Sequence, residues 1–338
     1  MTERVFFLGA GFSKAIDQTF YLLPELSHYI SERMCNTQPP INRTHLPELF
    51  NKIPFILRQN IEDLLVYLFS DAPWKDMAGK SADLALFYEV IDEISNYFLN
   101  KASSPSIMNV SLWNDFSKKI RDSKEYSFIS LNYDTLVENI LYKDYSECGA
   151  DLYGYPFVNI NNRSGGIFTE KSEKKSIYPV KLIKLHGSAN WFYADSSTSD
   201  IIYYFPWSQE CKYEYRIGLT PFIVPPIADK SRFYNHIILQ HLWKIAFFNI
   251  AIAQEIYIIG YSFPQSDLAI RQLFQLSFDT FIPGSTTVYV VNKATENDLR
   301  INYDTVFGKD NPHINYDYCG SDNVVERFIC EKILKEKE

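Results

Sequence analysis

Five short apolar runs, each four to six residues long and each closed by a glycine or a small polar residue, punctuate this chain. They cover residues 5–8, 126–131, 180–185, 255–259 and 286–291, with segments of helical periodicity between them. Continuous apolar runs of that length mark strands buried on both faces, and their alternation with helices predicts a parallel sheet. The predicted fold class is α/β: a Rossmann-like doubly wound parallel sheet carrying a large helical insertion. Sheets of that kind bind ligands beyond the carboxyl ends of their strands. The glycine-containing and polar segments fall there: Gly9-Ala10-Gly11-Phe12-Ser13, Asn132-Tyr133-Asp134, His186-Gly187-Ser188, Gly260-Tyr261-Ser262 and Asn292.

Residues 14–125 read as a helical insertion or subdomain. Apolar residues recur at helical spacing over 60–69 and 83–99, and Pro39-Pro40, Pro54, Pro73 and Pro105 divide the block. A helix is predicted over 133–142, an irregular insertion over 149–178, and a long helix over 231–253. Ser266 or Asp267 caps the next helix, Ala294 opens another, and 313–318 with 322–334 supply a last strand and helix. Residues 1–338 form a single domain on this reading.

Composition narrows the function classes. Against 41 Asp and Glu stand 33 Lys and Arg, a net charge of −8, which disfavours a protein built to grip phosphate backbones. The five cysteines, Cys35, Cys148, Cys211, Cys319 and Cys330, are scattered and never paired as C-x-x-C. That excludes a disulfide framework and a cysteine-rich zinc ribbon, and favours a reducing compartment. No apolar stretch reaches the ~18 residues of a membrane span, and no signal peptide is evident. A cytoplasmic location is expected.

Each strand end has a bland reading beside the functional one. The glycine turn lets a backbone approach a pyrophosphate, with Ser13 and helix N–H groups as donors. Lys14 holds the third glycine position of the dinucleotide fingerprint, so the same residues also read as a plain turn. Asn132 can orient a water or a ribose hydroxyl and Asp134 can accept from a carboxamide, yet both residue types cap helices. His186 suits a general base near neutral pH, or a histidine bonded to backbone. His236 and His241 read as structural. The aromatic stretch 191–222 with Val224-Pro225-Pro226 walls a pocket or fills a core.

Five ordered segments carry a specific resemblance: Phe7-Leu8-Gly9-Ala10-Gly11-Phe12-Ser13, Ser130-Leu131-Asn132-Tyr133-Asp134, Lys184-Leu185-His186-Gly187-Ser188 with Asn190-Trp191, Ile259-Gly260-Tyr261-Ser262-Phe263-Pro264 with Asp267, and Val291-Asn292-Lys293. From about residue 5 to 302 the chain resembles the bacterial sirtuin-like (silent-information-regulator-like) NADase family of antiphage defence. It departs from sirtuins in lacking the four zinc-holding cysteines and a recognisable segment to close over nicotinamide after Ser13.

The resemblance implies NAD+ as substrate and no metal. It implies Asn132 and His186 as catalytic residues: Asn132 holding water or ribose near the anomeric carbon, His186 acting on the ribose hydroxyls. It further implies Gly9, Ala10, Gly11, Phe12, Ser13, Gly260 and Ser262 around the pyrophosphate, Asp134 at the carboxamide and Asn292 at the adenosine ribose. The function expected is an NAD+ glycohydrolase in abortive antiphage defence; the alternatives are a non-catalytic NAD or ADP-ribose binding subunit and an NAD-dependent deacylase. Retention of both Asn132 and His186 favours catalysis. No segment reads as a sensor, so control is expected from a homo-oligomer or a separate partner, such as a DNA-translocating ATPase. Neither membrane association nor direct nucleic-acid binding is expected.

Overall fold

The computed structural model describes residues 4–36, 46–103, 105–123, 125–142, 152–153, 157–159, 182–194, 202–207, 218–227, 230–278, 280 and 284–335. In chain order, β1 (Arg4–Leu8) leads into α1 (Ala10–Ile16), α2 (Leu23–Asn36), α3 (Leu46–Asn51), α4 (Phe55–Arg58), α5 (Ile61–Phe69), α6 (Met77–Ser103) and α7 (Val110–Asp122). Then come β2 (Tyr126–Ser130), α8 (Leu136–Tyr142), β3 (Val158–Asn159), β4 (Leu182–Lys184), β5 (Gly187–Ala194), β6 (Tyr203–Tyr204) and β7 (Leu219–Ile223). The remainder is α9 (Ile237–Ala251), β8 (Glu255–Ile259), α10 (Leu268–Ser277), β9 (Thr287–Asn292), α11 (Glu296–Phe307), β10 (Ile314–Cys319) and α12 (Val324–Phe328), which runs into a π-helical turn at Ile329–Leu334.

Six strands pair in the order β10-β9-β8-β1-β2-β4, every pair parallel. Numbered by their appearance in the chain and counted from β4, they run 3-2-1-4-5-6, the order of the doubly wound Rossmann sheet. Alternation along β1 sends consecutive aromatics to opposite faces. Phe6 stacks on Phe128 at 4.6 Å and meets Phe116 of α7 at 5.7 Å. Its neighbour Phe7 meets Phe274 of α10 at 4.8 Å. Helices therefore cover both faces, and β1, β2 and β8 are almost wholly buried. Edge strand β10, with Asn315 and Asp317, is half-exposed along most of its length.

The register levels the strand ends. Leu8 pairs with Ser130 on one side and Ile259 on the other, Ser130 pairs with Lys184, and Ile259 pairs with Val291. The residues that follow each of them come out along one edge.

Helices α1 to α7 make up the predicted helical block. The apolar stripes on α5 (Ile61, Leu64, Leu65, Leu68) and α6 (Phe87, Val90, Ile91, Ile94) are buried in the common core. Asn60 caps α5 by accepting from the Glu62 N–H at 2.9 Å. A second sheet, ordered β3-β6-β5-β7, packs beside α6, whose Ser95 Oγ donates to the Ala189 carbonyl at 3.1 Å. Trp191, Phe192, Tyr204, Phe205, Trp207 and Phe222 are buried in its core, with Trp191 4.8 Å from Tyr153 and 4.6 Å from Phe157.

Several expectations change; the helix predicted over 133–142 is Leu136–Tyr142. The helix predicted over 231–253 is Ile237–Ala251, capped by His236, whose Nδ1 accepts from the Ile238 N–H at 3.3 Å; residues 231–236 form turns, the Phe233 N–H donating to the Lys230 carbonyl at 3.0 Å and the His236 N–H to the Phe233 carbonyl at 3.3 Å. Residues after His186, unassigned from sequence, form β5, because Gly187 turns the chain out of the first sheet into the second. The last helix breaks into α12 and a π-helical turn. Most of 149–178, along with Pro39-Pro40, Cys148 and Cys211, lies outside the described residues. Among the described residues no helix is long and apolar enough to cross a membrane.

Candidate active site

Ser13 is the hub where two strand ends meet. Its hydroxyl donates to Asp134 Oδ2 at 2.6 Å and accepts from Asn132 Nδ2 at 2.9 Å. The other Asn132 amide hydrogen goes to the Gly9 carbonyl, also at 2.9 Å. Asp134 also caps α8, one of its two sequence readings, since its Oδ1 accepts from the Leu136 N–H at 3.0 Å. Ser13 and Asp134 are buried, whereas Asn132 is partly open to solvent. Among the described residues no group donates to the Asn132 side-chain oxygen.

Beneath this cluster lies a charged pair that sequence reasoning missed. Lys184, two residues before His186, is buried with Glu138 of α8 at 3.2 Å, and its ammonium also donates to the Asp134 carbonyl. Tyr153 donates to Glu138 at 3.1 Å. Burial pushes the Glu138 carboxyl up, with Lys184 opposing. A lysine inside an apolar strand run is the signal that could have exposed this pair, because such a residue must find a counter-charge.

His186 occupies the corner between the two sheets. Its carbonyl accepts from the Val224 N–H of the β7 exit at 2.8 Å. Gly187 has φ +73°, and a Cβ there would lie 2.1 Å from the Phe222 carbonyl oxygen. That glycine admits a neighbouring strand, not a ligand. The His186 ring is bonded to the Leu131 backbone, and its Nε2 lies 3.4 Å from the Tyr234 hydroxyl. Burial pushes its pKa down from 6.5 to about 4, Lys230 acts in the same direction and Asp267 opposes. At pH 7 the imidazole is neutral, the form able to accept a proton.

The glycine turn is pressed against the loop after β8. Gly11 N–H donates to the Gly260 carbonyl at 3.0 Å, and a Cβ on Gly9 would come within 2.6 Å of that same oxygen. Gly260 adopts φ +66°. These three glycines serve the close approach of two loops at the point where strand order reverses. Ala10 is exposed. The Phe12 ring points into the core, 6.0 Å from Trp113, so its side chain is a packing group and not part of the cradle. Ser262 is exposed and its carbonyl accepts from Asn302 at 3.1 Å. The Asn292 amide donates to the Tyr261 carbonyl at 3.3 Å, and its oxygen accepts from the Ala294 N–H at 3.0 Å; it holds the neighbouring loops together.

Asp267 precedes α10 as predicted but makes no capping bond. Its carboxylate instead takes Lys230 Nζ at 2.9 Å and the Tyr261 hydroxyl at 2.8 Å. Among the described residues no group of three or more His, Cys, Asp or Glu side chains is placed to hold a metal.

No family model and no curated relative matches the sequence. Solved structures do. One, described as the structural basis of sirtuin substrate affinity, is 13% identical, with a TM-score of 0.40 over 98% of this chain and 94% of that one. Another, from work on the mechanism and regulation of Sir2 enzymes, is also 13% identical, with a TM-score of 0.41 over 98% and 91%. Similarity at this level assigns no activity.

Proposed function

We propose that the protein is an NAD+ glycohydrolase, in which water cleaves the bond between nicotinamide and ribose to give nicotinamide, ADP-ribose and a proton. The observation that carries this reading is the bonded set Asn132–Ser13–Asp134, beside a neutral His186 on the carboxyl edge of a 3-2-1-4-5-6 sheet. Nicotinamide departs as a neutral molecule, so the site's task is to stabilise an oxocarbenium-like sugar and deliver water. The Asn132 oxygen, free of donors among the described residues, orients the water or the ribose. His186 accepts a proton from a ribose hydroxyl or the attacking water, and Asp134 keeps lone pairs for the carboxamide. The close-packed turn at Gly9, Gly11 and Gly260 borders the pyrophosphate, with Ala10 and Ser262 open to solvent beside it.

Nicotinamide release from NAD+ by the purified protein tests the reading. Asn132→Ala and His186→Ala should each lower the rate ~10²–10⁴-fold with the fold intact, the usual effect of losing a positioned acid–base group. Binding of NAD+ without turnover would favour a regulatory subunit instead. The role we propose is an antiphage effector in the cytoplasm, an assignment supported by the five sequence segments. Depletion of NAD+ harms the cell that does it, so self-assembly or a separate partner protein, an ATPase that translocates DNA being one candidate, restrains the enzyme. Light scattering over a concentration series, with turnover measured on the same samples, should show activity tracking assembly; a fully active dilute monomer would exclude control by self-assembly.

A further inference from the structure

We propose that Lys184 is a positioning residue: its buried ammonium fixes Asp134, and through Ser13 the Asn132 amide, against the strand that carries His186. This rests on the reading of those residues as the reacting site. In β4, Lys184 lies level with Ser130, the last residue of β2. Its side chain donates to the Asp134 carbonyl beyond that strand end and meets Glu138 at 3.2 Å, the two side chains being 1% and 0% exposed. The Asp134 carbonyl stands outside the backbone ladder of α8, which opens at the Thr135 carbonyl, bonded to the Asn139 N–H at 3.0 Å. Backbone bonds already stitch the two segments together, from the Leu185 N–H to the Ser130 carbonyl at 3.0 Å and from the Ala189 N–H to the Tyr133 carbonyl at 2.8 Å. Lys184 extends that seam to Asp134.

Asp134 is thereby held at both ends. Lys184 takes its carbonyl, while its carboxylate takes the Leu136 N–H at 3.0 Å and the Ser13 hydroxyl at 2.6 Å. Ser13 accepts in turn from Asn132 Nδ2 at 2.9 Å, so a shift of the Asp134 main chain passes to Asn132 through two hydrogen bonds. A buried ion pair is a poor source of stability, and an apolar pair of similar volume is often at least as stable. What an apolar pair cannot supply is a donor to the Asp134 carbonyl. Glu138 is the counter-charge that lets the ammonium lie buried. Its Oε1 also accepts from Tyr153 at 3.1 Å, and its Oε2 has no partner among the described residues. Placement of a reacting group to better than about 1 Å is worth up to ~10²-fold in rate.

Two variants separate placement from stability. Lys184→Met/Glu138→Met/Tyr153→Phe removes the donor, both charges and the hydroxyl bonded to them, so no buried charge is orphaned and melting should stay close to that of the unaltered protein. Its kcat for NAD+ hydrolysis should fall roughly 10–100-fold with KM little changed. Glu138→Gln keeps the lysine donor and removes its counter-charge, so melting should fall while kcat holds within about threefold. A merely structural pair makes turnover follow melting in both variants; that result, or full kcat in the triple variant, overturns the proposal. NMR signals of the Asn132 side-chain amide give a readout that needs no turnover: they should move and broaden in the triple variant and hold in Glu138→Gln. If the triple variant does not fold, Glu138→Gln decides alone, below its melting temperature. Retained kcat and Asn132 signals support the assignment, and loss of either overturns it. If the unaltered protein releases no nicotinamide, the glycohydrolase reading fails, and the Asn132 signals still decide whether Lys184 holds the set.

Discussion

At the residue scale the chemistry depends on burial more than on residue type. His186 titrates near 6.5 in an unfolded chain and at about 4 in the folded one. Above pH 6.5 both states hold it neutral and its contribution to stability is present in full. As pH falls from 6.5 towards 4 the unfolded chain takes up a proton that the folded chain refuses, so stability drops by up to about 3 kcal/mol across that window. Urea unfolding at pH 7, 5 and 4 should show that slope, and His186→Gln should flatten it; equal slopes would mean that the ring is not buried in neutral form. A histidine at a strand end is visible in the sequence. Its depressed basicity is not, because that follows first from burial of the ring and then from Lys230, 44 positions further along.

At the element scale, close approach of loops decides which residues are tolerated. A methyl group on Gly260 would lie 2.2 Å from the Phe12 nitrogen and 2.4 Å from the Gly11 carbonyl carbon, besides forcing an alanine to φ +66°. Gly260→Ala is expected to cost roughly 3 kcal/mol or more, since strain and backbone collision add. Gly284, at φ +76° with nothing within 4 Å among the described residues, is the control; Gly284→Ala should cost about 1–2 kcal/mol, from conformation alone. Equal losses in a denaturant series would show that backbone conformation, and not the packing of loop on loop, is what Gly260 supplies. The glycines are legible as a turn. That they press on one another follows from β1 and β8 being neighbours in the sheet although about 250 residues separate them in the chain.

For the whole molecule, aromatic packing builds the core of the second sheet. Trp191, Tyr153, Phe157, Tyr204 and Trp207 interlock in the second sheet, and aromatic groups of that size supply the burial a small subdomain needs. Untagged protein should carry less than one equivalent of zinc, and exhaustive chelation should leave its melting temperature unchanged. Stoichiometric zinc with a fall in melting on chelation would locate a structural site in the residues outside the described ones.

The sequence alone determined the six strands of the parallel sheet, their carboxyl-end residues and the helical block, since apolar runs and helical periods are local patterns imposed by burial on one or two faces; the second sheet left no such pattern. Ser13, Asn132, Asp134 and His186 were all legible as strand-end residues for that reason. Tertiary structure alone decided which of them touch. Ser13 meets Asp134 across 121 positions and Lys230 meets Asp267 across 37, and neither contact leaves a periodic trace. Asp267 reads locally as a helix cap; it turns away because the buried ammonium of Lys230 is a stronger partner than a backbone N–H that solvent can also satisfy.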